Sequence, residues 1–117
     1  MAKMFKLSVN ANEISVPPST LILQLMRFSY NEANGRSTKV HVPVNCPSNL
    51  SLNGSVMYQI NSVINHIGHS TNSGHYNILL QDKLNEDFIL VDDIDINPRS
   101  NITETNKVSY VVIYDKL

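Results

Sequence analysis

The stretch Asn65–Tyr76, NHIGHSTNSGHY, holds three of the four histidines of the chain, with two glycines and several small polar residues. Apolar runs flank it on both sides, Met57–Ile67 and His75–Gln81, so it reads as a loop between two strands. Pairing His75–Gln81 with Phe88–Asp92 across Asp82–Asp87 makes facing residue numbers sum to about 167, which sets His75 opposite Asp92. Facing Cβ atoms lie roughly 4.5–5.5 Å apart, close enough for a carboxylate to reach an imidazole N–H. An Asp against one ring nitrogen fixes the tautomer and stabilises the imidazolium, which leaves the other nitrogen to take a proton from a nucleophile. Pairing Met57–Ile67 with His75–Gln81 centres that turn near about position 71, so the Gly68–Gly74 loop caps the same end of the sheet.

Two other readings stay open at this level. His75 and Asp92 can be an ordinary strand start and a solvated strand end, because a one-residue register slip reverses every side chain. His66-x2-His69-x5-His75 also offers three imidazoles of the kind zinc takes. Those ligands lie on a Gly/Ser-rich loop, however, and His66 continues the strand face of Tyr58, Ile60 and Ile64, where a hydrogen-bonded core histidine fits. A nucleophile is harder to find. Cys46 is the only cysteine, stands between Pro43 and Pro47, and has no helix N-terminus or adjacent basic residue to depress its pKa. It reads as a small buried hydrophobe. No serine lies in a G-x-S-x-G elbow.

The elements that must position these residues are strands. Val16-Pro17-Pro18-Ser19 interrupts regular structure, and Thr20–Phe28 follows as a strand. Leu21, Leu23 and Leu25 lie on one face and Ile22, Met26 and Phe28 on the other, which predicts a place inside the sheet. Asn31–Ser37 is turn chemistry around Asn34-Gly35. Lys39–Val42 is a short strand, Val44–Cys46 an edge or extended loop, and Asn49–Ser55 a loop. Met57–Ile67, His75–Gln81 and Phe88–Asp92 are successive strands, and Val108–Tyr114 is a closing one. Phe5–Val9 is a possible short strand, and no helix is expected. The fold class is mainly β (α+β family), an antiparallel meander.

Length and charge narrow the function. The chain has 117 residues, so one domain is expected. Nine Lys and Arg against ten Asp and Glu leave a formal charge of −1, which disfavours a nucleic-acid backbone binder. No apolar run approaches the ~20 residues of a membrane helix, and the start does not read as a signal peptide. A reducing compartment, cytoplasmic and/or nuclear, is the expected setting.

Leu21–Tyr30, LILQLMRFSY, resembles the "LxLxLxRF" strand of ubiquitin-specific proteases, with wording nearest the herpesvirus-associated subgroup. VNCPSNLSL (44–52) is similar to the "VxFPxxLDL" of that family, with Cys46 in place of Phe. Tyr58–Tyr76 resembles its histidine box "YxLxAVxxHxGxxxxGHY". FILVDD (88–93) is similar to its acidic segment, and SYVVIYDK (109–116) to its closing "AYVLFYxK". The likeness runs in order from about Val16 to the end. It implies a papain-like, C-terminal palm part over residues 16–117, after an N-terminal segment 1–15. It implies a thiol deubiquitinase in which His75 is the general base, Asp92 its orienter and Asp93 a second acidic position. By the same likeness Phe28, Gly74 and Tyr76 line the channel for the ubiquitin tail, under the blocking loop Gly68–Ser73. Ubiquitin or a ubiquitinated protein is the implied partner, with no cofactor, metal, nucleic acid or membrane. The "GLxNLGNTCYxNS" box that supplies the family nucleophile is not among these residues, and Cys46 matches a different position. The chain is therefore expected to be inactive alone: a truncated form, or a ubiquitin-binding module, or one that complements a separate Cys-box lobe. A bare apolar face is expected with it.

Overall fold

The computed structural model describes residues 14–70 and 73–117. The strands are β1 (Thr20–Gln24), β2 (Phe28–Asn31), β3 (Arg36–Lys39), β4 (Asn49–Leu52), β5 (Val56–Ile67), β6 (His75–Gln81), β7 (Phe88–Asp92), β8 (Asp95–Ser100) and β9 (Ser109–Lys116). A 3-10 turn over Ile102–Thr105 precedes β9, capped by the Asn101 side chain, which accepts from the Thr103 N–H. There is no α-helix among the described residues. The antiparallel main sheet runs β1-β9-β5-β6-β7-β8, while β4 pairs with the first part of β5. β2 and β3 form a separate hairpin.

The sheet is assembled in rows. Across five strands, Leu23, Val112, Val63, Leu79 and Leu90 stand opposite one another in turn. Val63, Leu79 and Val112 are buried in the core together with Leu21, Ile60, Tyr58, Tyr114 and Phe88. Side chains alternate between faces, so the adjacent row on the same face is two residues along. Toward the loop end of β5 that row is polar: Ser109, Asn65 and Asn77 in register. Continuing the β6–β7 ladder by one step adds Asp92. The two most buried phenols are satisfied by proline carbonyls, Tyr58 on Pro18 at 2.6 Å and Tyr114 on Pro47 at 2.7 Å.

β6 and β7 have the expected bounds, and β5 and β6 pair about the expected centre. Several other expectations are corrected. β1 lies at the edge of the sheet, paired with β9 alone, and Ile22 on its outer face is 64% exposed. An apolar second face speaks to what covers a strand, not to how many neighbours it has. β1 also stops short of Phe28, because the Arg27 N–H bonds to the Leu25 carbonyl at 2.8 Å and turns the chain. The strand expected over Lys39–Val42 lies earlier, at Arg36–Lys39. The Asn31 and Asn34 side chains accept from Ala33 and Arg36 N–H groups, and Gly35 at φ +65 closes a tight hairpin. Asn49–Leu52 is a strand and not a loop: Leu50 and Leu52 pack on the core while Asn53 and Gly54, both at positive φ, turn the chain into β5. The meander holds from β5 to β8, but β9 returns across it to lie between β1 and β5. β8 had no expectation attached; it is polar and mostly exposed, and Pro98 is tolerated at an outer edge. The possible strand Phe5–Val9 lies outside the described residues.

The hairpin is held to the sheet by a buried cation. Arg27 is 3% exposed. Its Nη1 donates to the carbonyls of Val40 (3.1 Å) and Val42 (2.8 Å), and its Nη2 to the Asn106 carbonyl (2.8 Å) and Ser109 Oγ (3.0 Å). Its Nε donates to the Ser109 carbonyl. All of these acceptors are neutral. Removing the fork strands the buried Ser109 carbonyl and three partly buried ones, so Arg27→Ala should lower unfolding free energy by about 3 kcal/mol. Arg27→Lys should restore only a minor part, because a single ammonium cannot reach all the acceptors. Urea denaturation of the two variants checks both expectations.

Candidate active site

Gly74 ends the loop and His75 opens β6, while Asp92 closes β7 at the same end of the sheet. His75 Nε2 is bonded to Asp92 Oδ1. The sequence pairing put these residues directly opposite; the observed register is displaced by two, so Asn77 is the residue that faces Asp92. A two-residue shift keeps every side chain on its face. His75 therefore meets Asp92 diagonally, on the face it was expected to use.

Asn77 Nδ2 lies 3.5 Å from the other carboxylate oxygen, Asp92 Oδ2. Asp93 follows at φ +53, in the two-residue turn between β7 and β8, with its Oδ2 4.0 Å from His75 Nε2. The hydrogen bond with Asp92, and then the carboxylate charge, raise the His75 pKa above its ordinary value. The same bond from His75 holds the Asp92 pKa below the usual carboxylate range. His75 and Asp92 side chains are 44% and 36% exposed, so incoming groups can reach them. With Nε2 committed to Asp92, Nδ1 is the nitrogen available to a substrate or nucleophile.

A second histidine organises the loop neck. His66, buried on β5, receives the Lys39 ammonium at its Nδ1 (3.0 Å). Lys39 also donates to the carbonyls of His66 and Gly68, the latter at 3.1 Å. An ammonium only donates, so Nδ1 accepts and the proton of the neutral ring sits on Nε2. Burial and the Lys39 charge both lower the His66 pKa, which favours that neutral form. Phe28 and Tyr76 meet the ring edge-on at centroid distances of 5.4 and 4.9 Å. A Cβ on Gly74, at φ +147, would lie 2.5 Å from His66 Nε2 and 2.6 Å from the Ile67 carbonyl. Phe28, Gly74 and Tyr76, singled out from sequence, thus gather around a residue read there as a core histidine or a zinc ligand. Its partner Lys39 lies on a separate hairpin and could not be placed from sequence.

The three loop histidines do not form a metal site. Lys39 holds His66, His75 is on Asp92, and the His69 ring packs against His41 at 5.4 Å. The donor atoms that do converge, within 4.8 Å of one another, are those of His75, Asp92 and Asp93. A cation there would have to displace the His75–Asp92 bond. Cys46 is not among the groups at His75. It is partly buried against the core, and burial pushes its thiol pKa up. It lines an apolar groove of 960 Å³ with Leu23, Leu25, Val42, Leu50 and Ile102, which answers the expectation of a bare apolar face.

Residues 8–114 match the family described as "Ubiquitin carboxyl-terminal hydrolase". The chain is 34% identical over 94 residues to "Probable ubiquitin carboxyl-terminal hydrolase 3" of Schizosaccharomyces pombe, covering 71% of this chain and 18% of that protein. It is 33% identical over 86 residues to "Ubiquitin carboxyl-terminal hydrolase 48" of Rattus norvegicus, covering 68% of this chain and 8% of that protein. It thus spans less than a fifth of the length of these relatives. Among solved structures, the yeast SAGA DUB module with an Sgf73 mutant superposes with a TM-score of 0.73 at 23% identity, over 86% of this chain and 24% of that one. The SAGA Ubp8/Sgf11/Sus1/Sgf73 DUB module bound to ubiquitin aldehyde gives 0.74 at 21% identity, over 86% and 25%.

Two expectations follow from the geometry. Because the His75 pKa is raised from 6.5 and that of Asp92 lowered from 3.8, the stability their contact adds is full between those ordinary values. It is lost as pH rises through the raised His75 pKa, and as pH falls through the depressed Asp92 pKa. Urea midpoints of Asp92→Asn against the unaltered chain should differ most near about pH 5 and converge by about pH 9. Gly74→Ala should cost about 2 kcal/mol or more, since backbone and His66 must both move. Gly54→Ala, whose added Cβ meets nothing within 4 Å, should cost only about 1 kcal/mol for its left-handed φ. The same denaturation series compares the two.

Proposed function

The chain belongs to the ubiquitin carboxyl-terminal hydrolase family, and from that premise we propose that it carries the base half of a thiol deubiquitinase. The observation that supports this best is the bond between His75 Nε2 and Asp92 Oδ1 on an open sheet end, with Nδ1 left for the reacting thiol. In this reading a cysteine thiol gives its proton to His75 Nδ1, and the thiolate attacks the carbonyl of the isopeptide bond after the ubiquitin C-terminal glycine. His75 then protonates the departing lysine amine. Asp92 holds the imidazolium oriented and compensates its charge, and Asp93 helps to arrange water or the oxyanion. Phe28, Gly74 and Tyr76 border the path of the ubiquitin tail, and Gly68–Ser73 corresponds in sequence to the blocking loop of the family. The QLMRF wording supports a reading nearest the herpesvirus-associated subgroup. Residues 16–117 are the palm part, acting in the cytoplasm or nucleus.

Cys46 is not the nucleophile: its thiol is partly buried, shifted toward the protonated form and directed at the groove. By itself the chain does not cleave. A ubiquitin vinylsulfone probe should leave Cys46 unlabelled, and mass spectrometry showing a Cys46 adduct would overturn the assignment. Ubiquitin titrated into labelled chain should shift the amide signals of Gly74 and Tyr76 weakly, and ubiquitin without its last two glycines should not.

A second reading, a complementing module, is favoured by the apolar groove. Leu23 and Val112, which line it, share a row with Leu79 and a sheet face with His75. A Cys-bearing lobe seated there would bring its thiol along the same face toward the imidazole. Cleavage appearing only on mixing with such a lobe from a relative distinguishes this reading from a purely ubiquitin-binding one.

A further inference from the structure

The polar row beneath the dyad is the least explained feature of the sheet. Asn65 is fully buried and Asn77 is 9% exposed. Asn65 Nδ2 donates to Asn77 Oδ1 at 2.8 Å, and Asn77 Nδ2 points to Asp92 Oδ2 at 3.5 Å. The order of these amides is dictated by charge. A carboxylate repels an amide oxygen, so Asn77 must turn its NH2 toward Asp92. Its oxygen then faces Asn65, which can answer only with its own NH2. That arrangement leaves Asn65 Oδ1 buried with no partner, an unfavourable state. One row away the same strands place Val63, Leu79 and Leu90 with no such penalty. The amides therefore do not serve packing.

We propose that Asn77, oriented by Asn65, is a positioning residue that holds the Asp92 carboxylate with Oδ1 turned toward His75. The carboxylate charge sets which way Asn77 faces, the buried Asn65 NH2 holds the Asn77 oxygen so that the amide stays that way round, and the Asn77 NH2 takes one carboxylate oxygen. Rotation of the carboxylate about its own axis is thereby opposed, and the other oxygen stays on Nε2. Asp92 is open to solvent and follows a diagonal path to His75, so a direct cross-strand neighbour is what keeps it in place. The inference rests on the dyad reading above and extends it to two residues whose bonds run to each other and to Asp92, not to the imidazole.

The test uses the pH midpoint of the His75 imidazole in the full chain, followed by long-range 1H–15N NMR, which needs no catalytic activity. Asp92→Asn should bring the midpoint down; if it does not, the dyad reading itself fails. With that fall established, Asn77→Ala should lower the midpoint by roughly half as much. Asn65→Leu should lower it less, and should have no effect in an Asn77→Ala background, because it acts only through Asn77. Asn61→Ala, which removes a comparable amide bonded to Asp115 at 2.8 Å elsewhere on β5, should leave the midpoint unchanged. An unchanged or raised midpoint in Asn77→Ala, or an Asn65→Leu effect that persists without Asn77, overturns the positioning role while the dyad stands. A variant-free check is available if these chains fold poorly. The Asn77 side-chain NH2 signals of the unaltered chain should titrate with the His75 midpoint, and their failure to do so overturns the proposal.

Discussion

Backbone carbonyls that the sheet cannot pair must find donors elsewhere, and at the loop end of this protein two cationic side chains provide them. Arg27 gathers carbonyls from Val40, Val42, Asn106 and Ser109, and Lys39 gathers those of His66 and Gly68. Neither cation is described with a carboxylate partner. For Arg27 the burial of charge is offset by several good acceptors, which is the condition under which a buried ion stabilises rather than strains a fold. The arrangement has a directional effect. It ties β1, the β2–β3 hairpin and the segment before β9 to the neck of the Gly68–Gly74 loop, so the residues around His66 cannot move independently of the sheet. The exposed dyad depends on that anchoring, since His75 directly follows Gly74.

The dyad itself is produced by a change of chemistry along one sheet face. From Leu23 to Leu90 a single apolar row crosses five strands, and the next row replaces it with Ser109, Asn65, Asn77 and Asp92. Burial supplies the stability of the first row. The second row sits where strands fray into turns, and there hydrogen bonds have to do the ordering. This explains why the histidine and the carboxylate can be more than a third exposed and still meet: the rigid part is one row behind them.

What could be read from sequence follows the same division. β6 and β7 were legible to the residue because apolar alternation begins after Gly74 and stops at Asp92-Asp93. The contact between His75 and Asp92 survived a register error of two because an even displacement leaves facing unchanged; an error of one would have hidden it. β3 and β8 were not legible, since they are polar edge strands made by turn residues and ladder bonds with little burial. β4 was concealed by the asparagines and serines around Leu50 and Leu52. Arg27, Lys39 and the role of His66 escaped for a different reason. Arg27 and Lys39 bond mainly to backbone carbonyls, which every residue has, so no side-chain pattern marks which will converge, and His66 takes its role from Lys39.

The placement of Cys46 separates its thiol from the conditions that activate a cysteine. Activation requires that the imidazole reach the sulfur and that the surroundings favour thiolate. Cys46 meets neither condition, for it lies against the core and its thiol is held toward the protonated form. The Ser109 hydrogen bond, and after it the Arg27 charge, oppose that shift, but both stand behind burial. The guanidinium is already engaged with its carbonyl and hydroxyl acceptors and offers the sulfur little. His75, by contrast, has a raised pKa, one ring nitrogen bonded to Asp92 and a side chain 44% exposed. The apolar groove and the polar row share one sheet face, so the packing of the first and the hydrogen bonding of the second are parts of one surface.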